Sequence, residues 1–345
     1  YDLEPFYDLN DRMMGCSGLS GDPANPPRSE RPMPPLPLGP DGVRLGNAFD
    51  RLGWHWWPSD SYINSVAYDG RQACNNCGPN GLGCPRGAKG STDITYWPRA
   101  IDLGAEVRPH CRVFELTTGP DGRLTGASYI DPDGEHRQQA ARAVMIACNG
   151  VGTPRLLLMS ASDRQPQGLA NSSGLVGKNL MFHPYGVACG LFPDGEPTYK
   201  GALGNIIISQ EFYETDSARD FVRGYSFQMN RSTGPGWTAA GLALPPVAWG
   251  ESHHQEFAAR FARSSYLLTI TEDLPEERNC VTLDAARTDS DGLPAPRVTY
   301  SVSTNTRSML AHGIANASRV LREAGATQVL TDPLLRGGGW HLMGT

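Results

Sequence analysis

The chain of 345 residues has no apolar run near the ~18 to 20 residues that a membrane-crossing helix needs, and stretches such as Ala143–Cys148 are among its longest. No transmembrane segment is expected. Clustered basic residues are also missing: 30 Lys plus Arg face 36 Asp plus Glu, a net charge of −6, which argues against a nucleic-acid or anionic-membrane surface and for a small partner. Cysteine is sparse, with 8 residues in a chain long enough to bury two ordinary cores at ~150 residues per domain, so a disulfide scaffold is excluded. Phosphate-binding glycine loops are lacking as well. Gly150-Val151-Gly152 has no third glycine to complete G-x-G-x-x-G, and Gly83 to Lys89 has the wrong spacing for a Walker A loop. There is no internal repeat and no basic-then-apolar leader; the chain opens at Tyr1 and stops at Thr345 directly after a glycine-rich stretch, so a fragment lacking both ends is expected.

Glycine (40) and proline (28) are plentiful and predict long irregular connections. Asp2 to Met14 reads as a short helix with Pro5 in its first turn, Gly15 as its stop, and Leu3, Phe6, Tyr7, Met13 and Met14 as candidate buried positions. From Gly21 to Asp41 there are eight prolines, which predict an extended polyproline-like arm, either a linker or a lid. Trp54, Trp56 and Trp57 follow it and supply aromatic surface for a lid, or for the core.

Period-two alternation between Ala105 and Leu116 predicts two strands split by Pro109. Leu124–Ile130 and Ala143–Cys148 are further strands, the second apolar on both faces and ending at Asn149-Gly150, ahead of a helix over Pro154–Ser160. Beyond Pro184 the texture becomes mainly antiparallel. Strands are expected near Asn205–Ser209, Gly224–Met229, Tyr266–Thr271, Cys280–Leu283 and Arg297–Tyr300, with one short helix at Gln255–Arg263. Thr304 caps a longer helix to about Ala324 whose apolar side recurs at three and four residues, and a strand at Gln328–Leu330 leads into Gly337-Gly338-Gly339-Trp340-His341.

Three features carry chemistry. Cys74-x2-Cys77-x6-Cys84 offers three thiolates to an iron–sulfur cluster, three of four ligands to zinc, or simply free or partly disulfide-linked cysteines. The Asn149-Gly150 turn lets backbone N–H groups approach a dinucleotide, or is only a strand-to-helix corner. His341, in a glycine loop that gives its backbone freedom, has the pKa range to take a proton from an alcohol, although a surface or packing role is the commoner use of a lone histidine; His183 has the same ambiguity. His253-His254 reads as a solvated helix start.

Taken in order, Tyr1-Asp-Leu-Glu-Pro-Phe-Tyr7, Gly83-Cys-Pro-Arg-Gly-Ala-Lys89-Gly-Ser91, Gly104-Ala-Glu-Val-Arg108, Ala147-Cys-Asn-Gly-Val-Gly-Thr-Pro-Arg-Leu-Leu157, Gly174-Leu-Val-Gly-Lys-Asn-Leu-Met-Phe-His-Pro184 and His341-Leu-Met-Gly-Thr345 resemble the glucose-methanol-choline (GMC) family of flavin-dependent alcohol oxidoreductases. Within it the chain looks most like bacterial gluconate, sorbitol and related polyol dehydrogenase subunits, where a cysteine-bearing loop precedes Gly-Ala-Lys-x-Ser.

The resemblance implies FAD as cofactor, hydride transfer from a substrate C–H to flavin N5, and an alcohol, sugar acid or polyol as substrate. His341 matches the family's first active-site histidine, Val113 the position that meets the adenine, and Cys148, Asn149 and Gly150 the turn beside the ADP moiety. A second active-site His or Asn is expected beyond Thr345. By the same resemblance the fold class is α/β plus α+β. Residues 1–104 would form an N-terminal arm, Pro-rich lid and Cys loop, 105–184 part of a Rossmann-like FAD-binding domain, 185–330 an antiparallel substrate domain, and 331–345 the start of the catalytic loop. Some relatives use such a cysteine loop for an iron–sulfur cluster, which would make Cys74, Cys77 and Cys84 a relay to a cytochrome, with a small helper subunit as a further partner. A non-catalytic binding module on a degenerate flavoprotein scaffold is the competing reading.

Overall fold

The computed structural model describes residues 2–78, 83–197, 199–202, 205–231, 234–240, 247–335 and 340–345. They fall into two compact, discontinuous units: Tyr1–Ala105 with Pro184–Glu272 and Thr304–Gly338, and Glu106–His183 with Asp273–Ser303 and Gly339–Thr345. The 273–303 stretch, expected within the antiparallel segment 185–330, belongs instead to the second unit.

The first unit is built on a six-stranded antiparallel sheet in the order Trp57–Pro58, Asn205–Phe212, Tyr225–Asn230, Ser264–Thr271, Tyr185–Leu191, Gln328–Asp332. Tyr185–Leu191 and Ser264–Thr271 are buried almost throughout because both faces of the sheet are covered. On one face Ala188, Phe227, Met229 and Leu267 meet Leu45, Ala48 and Phe49 of helix Gly39–Leu52 and Met309, Ala317, Val320 and Leu321 of helix Thr304–Glu323. Alternate residues Val187, Cys189, Tyr266, Leu268 and Ile270 form a second cluster on the other face. Trp54 and Trp56 pack against the first core, so these rings follow the core reading.

The Pro-rich arm is fastened to this unit: Trp57 Nε1 donates to Leu19 O at 2.7 Å, His55 Nε2 lies 2.8 Å from Asp22, and Arg31 Nε donates to Asp60 at 2.9 Å. Helix Glu4–Met14 runs as expected and stops at Gly15 (φ 75), but Leu3, Phe6 and Tyr7 are exposed. Its docking side is polar instead. Asp11 is the buried residue, paired with Arg28 of the arm at 2.8 Å and with Arg31 at 3.4 Å.

In the second unit, strands Arg112–Thr118, Leu124–Ile130 and His136–Ala140 form an antiparallel sheet. Cys280–Thr288 pairs with Pro294–Thr299, and Met181–His183 with Trp340–Met343. Among the described residues every pairing between named strands is antiparallel, and the architecture is mixed α/β. Two expectations are corrected here. Ala143–Cys148 is not a strand, since no neighbour offers it a ladder among the described residues, and Met145 is 92% exposed. The strand expected before Pro109 is likewise absent, and the following helix begins at Asn149 rather than Pro154, ending at Met159. Among the described residues no helix is long and apolar enough to cross a membrane.

Candidate active site

The second unit gathers three short segments around His341. Strand Trp340–Met343 lies antiparallel to Met181–His183 with a register shift between Trp340 and Met343, and His341 itself takes a left-handed backbone (φ 62). An ordinary strand would point successive side chains to opposite faces. Here the irregular backbone accompanies a ring contact: Nδ1 of His341 and Nδ1 of His183 are 2.9 Å apart, with the rings inclined at 72°. Two Nδ1 atoms at that separation form a bond when one carries the proton and the other a lone pair.

Burial lowers the pKa of His183, and the neighbouring His341 charge lowers it further, against an opposing pull from Asp273. Asp273 accepts from Tyr300 Oη at 2.6 Å and from the Phe182 N–H at 3.5 Å, while the Phe182 and Tyr300 rings meet edge to face at 4.7 Å. The residue before His183 is thus held by backbone and ring alike. Burial and then the Asp273 hydrogen bond push the Tyr300 phenol upward, so it stays a donor.

At the far end of the loop Thr345 Oγ1 shares its proton between Gly150 O at 2.9 Å and Gly344 O at 2.7 Å, and its N–H donates to Lys178 O at 3.0 Å. The Gly150 carbonyl is available because Pro154, four residues on inside helix Asn149–Met159, has no N–H to donate to it. Close approach demands glycine at both contact points. A Cβ on Gly150 would stand 2.8 Å from Leu342 Cβ, and one on Gly344 (φ +75) only 1.8 Å from Asn179 O.

His341 and the Asn149-Gly150 turn are therefore linked through the 340–345 loop; Cys148 beside the turn is exposed. Asn149 (φ 57) opens that helix, and its Oδ1 accepts the Val151 N–H at 3.1 Å. Val113 lies apart from them. It lines a hollow of about 400 Å³ with Cys111, Tyr129, Ala143, Val144 and Met145. His183, left open in the sequence between a proton acceptor and a packing residue, is the ring that meets His341.

The cysteine loop is a correction. Cys74, Cys77 and Cys84 do not assemble into a metal-holding group, and no such group of three His, Cys, Asp or Glu exists among the described residues. Cys74 and Cys84 pack instead against Leu36, Ile63, Ala88 and Ala202, and the Cys74 thiol meets Asn76 at 3.8 Å. Residues 79–82 of that loop lie outside the described residues. In a hollow of about 770 Å³ in the first unit, lined among others by Glu4, Tyr7, Asp22, Arg28, Arg31 and Trp57, Arg28 pairs with Asp8 and Asp11, Arg31 with Asp60, and Asp22 with His55.

Residues 61–185 match the family model described as GMC oxidoreductase. The chain is 43% identical over its whole length to 2-methyl-1,2-propanediol dehydrogenase of Mycolicibacterium austroafricanum, covering 63% of it. Over 96% of the chain it is 32% identical to the fructose dehydrogenase large subunit of Gluconobacter japonicus, covering 61% of that protein. The chain thus spans about three fifths of the length of these curated relatives. Among solved structures, a formate oxidase of Aspergillus oryzae, studied for modification of its FAD, superposes with a TM-score of 0.50 at 11% identity, over 88% of this chain and 62% of the other; that likeness speaks for the fold. The family model and the relatives that align along the length of the chain agree: the chain belongs to the GMC oxidoreductase family.

Proposed function

We propose that this chain contributes the base and part of the cofactor cradle of an FAD-dependent oxidoreductase that acts on CH–OH groups. The observation that carries the reading is the placement of His341, whose imidazole is the kind of base that takes a hydroxyl proton and whose Nδ1 meets His183 Nδ1 at 2.9 Å. The 340–345 loop that bears it is anchored at its other end to Gly150, so the imidazole is held from both sides.

The residues present fit the adenosine end of FAD. The hollow over Val113 is walled by Cys111, Ala127, Tyr129, Ala143 and Val144, with Arg108 at its edge, a surface suited to a flat heteroaromatic ring. Val113 is 42% exposed there. Cys148, Asn149 and Gly150 would flank the ADP moiety. When bound, FAD supplies the hydride acceptor, flavin N5. The chain's own part is to orient the alcohol and to receive its proton at His341, with Gly150 and Gly344 keeping that ring in place.

The substrate class is an alcohol with neighbouring hydroxyls, a polyol or sugar acid; the diol and fructose named in the two relatives support it. The fructose dehydrogenase relative is by name a large subunit, which supports a further subunit here, and a cytochrome is the acceptor class we assign. Anaerobic titration of the intact, FAD-loaded protein with 2-methyl-1,2-propanediol, fructose and gluconate tests the reading. Bleaching of the flavin absorbance by at least one is expected, whereas a colourless protein that takes up no added FAD overturns it.

A further inference from the structure

We propose that the hollow of about 770 Å³ lined by the Pro-rich arm and helix Glu4–Met14 is a binding site for a small organic cation, an amine or amidine carried on an apolar body. The hollow lies wholly within the first unit and shares no residue with the 340–345 loop, so the inference goes beyond the oxidoreductase reading and does not depend on it.

The walls are apolar and tied down. Trp57 and Ile208 stand directly opposite each other on paired strands and both line the hollow, so an indole and a branched aliphatic chain share one face of it. Leu19, Pro26 and Pro27 of the arm add further apolar surface. The arm is fastened to the strands by Trp57 Nε1, which donates to Leu19 O at 2.7 Å, and to the helix by Arg28, 2.8 Å from Asp11. Walls held in place before a ligand arrives cost it little ordering entropy. With its N–H committed to Leu19 O, the Trp57 indole has only apolar and π surface to offer, and a π face attracts cations. The volume falls in the range of small-molecule sites, roughly 300 to 1,000 Å³.

Charge decides the class of ligand. Both guanidinium groups that line the hollow are taken, Arg28 by Asp8 and Asp11 and Arg31 by Asp11 and Asp60. Asp22 meets His55 at 2.8 Å. Asp2 and Glu4 line the hollow as well, and neither carboxylate has a partner among the described residues. The N–H groups of the helix's first turn offset them by about half a unit of positive charge, which leaves more than one negative charge unanswered. A carboxylate ligand would be repelled there, and a neutral one would gain nothing from the excess charge. A cation answers it while its body lies against Trp57 and Ile208. The Tyr7 hydroxyl and the Gln210 side-chain amide, also without hydrogen-bond partners among the described residues, are placed to serve polar groups on that body.

Calorimetric titration of the intact FAD-loaded protein with three probes of one shape tests the assignment: benzamidine (cationic), benzamide (neutral) and benzoate (anionic). At low salt benzamidine is expected to bind about 5- to 10-fold more tightly than benzamide, with benzoate weakest. The preference should shrink as salt rises to about 0.5 M, because half-exposed carboxylates are screened. The double variant Asp2→Asn, Glu4→Gln should bind benzamidine and benzamide alike and keep the wild-type rate of flavin reduction. Asp133→Asn, which removes an exposed carboxylate of the second unit, should leave the preference as it was. Equal affinities for the three probes in the wild type, or no binding of benzamidine up to about 10 mM, overturn the proposal and need no variant to fold. A preference for benzamidine that survives in the double variant overturns it as well.

Discussion

Replacing Gly344 by alanine tests the packing that presents His341. Two separable costs arise. The first is conformational: at φ +75 an L-residue is strained by about 1 to 2 kcal/mol. The second is steric, because the new Cβ would stand 1.8 Å from the carbonyl oxygen of Asn179, a backbone atom that cannot rotate away. Ordinary C···O contacts begin near ~3.3 Å, so the 340–345 loop and the 177–181 segment must part by about 1.5 Å. A shift of that size breaks the bond from the Thr345 N–H to Lys178 O, now 3.0 Å, and the His183 to His341 contact, now 2.9 Å, at about 1 kcal/mol each. The expected total is about 3 to 4 kcal/mol, met locally by undocking of the loop. Gly174→Ala is the control, since Gly174 has φ +69 with nothing within 4 Å of a built Cβ and so isolates the conformational cost. Urea unfolding should separate the two variants by about 2 kcal/mol, and amide exchange at Thr345 should speed up in Gly344→Ala alone. Equal stabilities within about 0.5 kcal/mol would refute the reasoning.

The remaining predictions concern stability. Phe49, 0% exposed between the six-stranded sheet and helix Thr304–Glu323, should cost about 3 to 5 kcal/mol on substitution by Ala, against about 0.5 kcal/mol or less for Leu103→Ala, 90% exposed; chemical denaturation of each reads the difference. His183 and His312 are both lowered from the ordinary value of 6.5, chiefly by burial, so the unfolded chain binds their protons first. Their contribution to stability is intact above pH 6.5 and is lost as the pH falls below it toward the folded values. Urea midpoints should drop between pH 7.5 and 5.5, and less so in a variant that replaces His312, whose Nδ1 meets Tyr225 Oη at 2.9 Å. A midpoint that fell equally in that variant would contradict the assignment to His312.

Legibility in the sequence followed the strength of local signals. Leu124–Ile130 was bounded by turn residues and alternation and lies at its expected limits, and Thr304–Glu323 was given by its apolar stripe, which buries Met309, Leu310, Ala317, Val320 and Leu321. Helix Gly39–Leu52 was missed although Leu45, Ala48, Phe49 and Leu52 recur at three and four residues, because the prolines before it dominated the reading. Tyr185–Leu191 was missed for another reason: a strand buried on both faces has no alternation to detect. Ala143–Cys148 shows the limit of a purely local argument, since its apolar run favours a strand but a strand also needs a hydrogen-bonded neighbour. In the candidate site, His341 and the Asn149-Gly150 turn were legible as motifs. Their link through Thr345, and the pairing of His341 with His183, depend on contacts between segments far apart in the chain, which motif spacing alone cannot supply.

The central claim is that the His341 imidazole takes the hydroxyl proton while flavin is reduced. Anaerobic stopped-flow reduction of the intact FAD-loaded protein, comparing wild type with His341→Ala, tests it most directly. The variant should keep the bound-flavin spectrum and lose about 10²- to 10⁴-fold in the rate of reduction. A His341→Ala protein that bleaches its flavin at the wild-type rate would contradict the account.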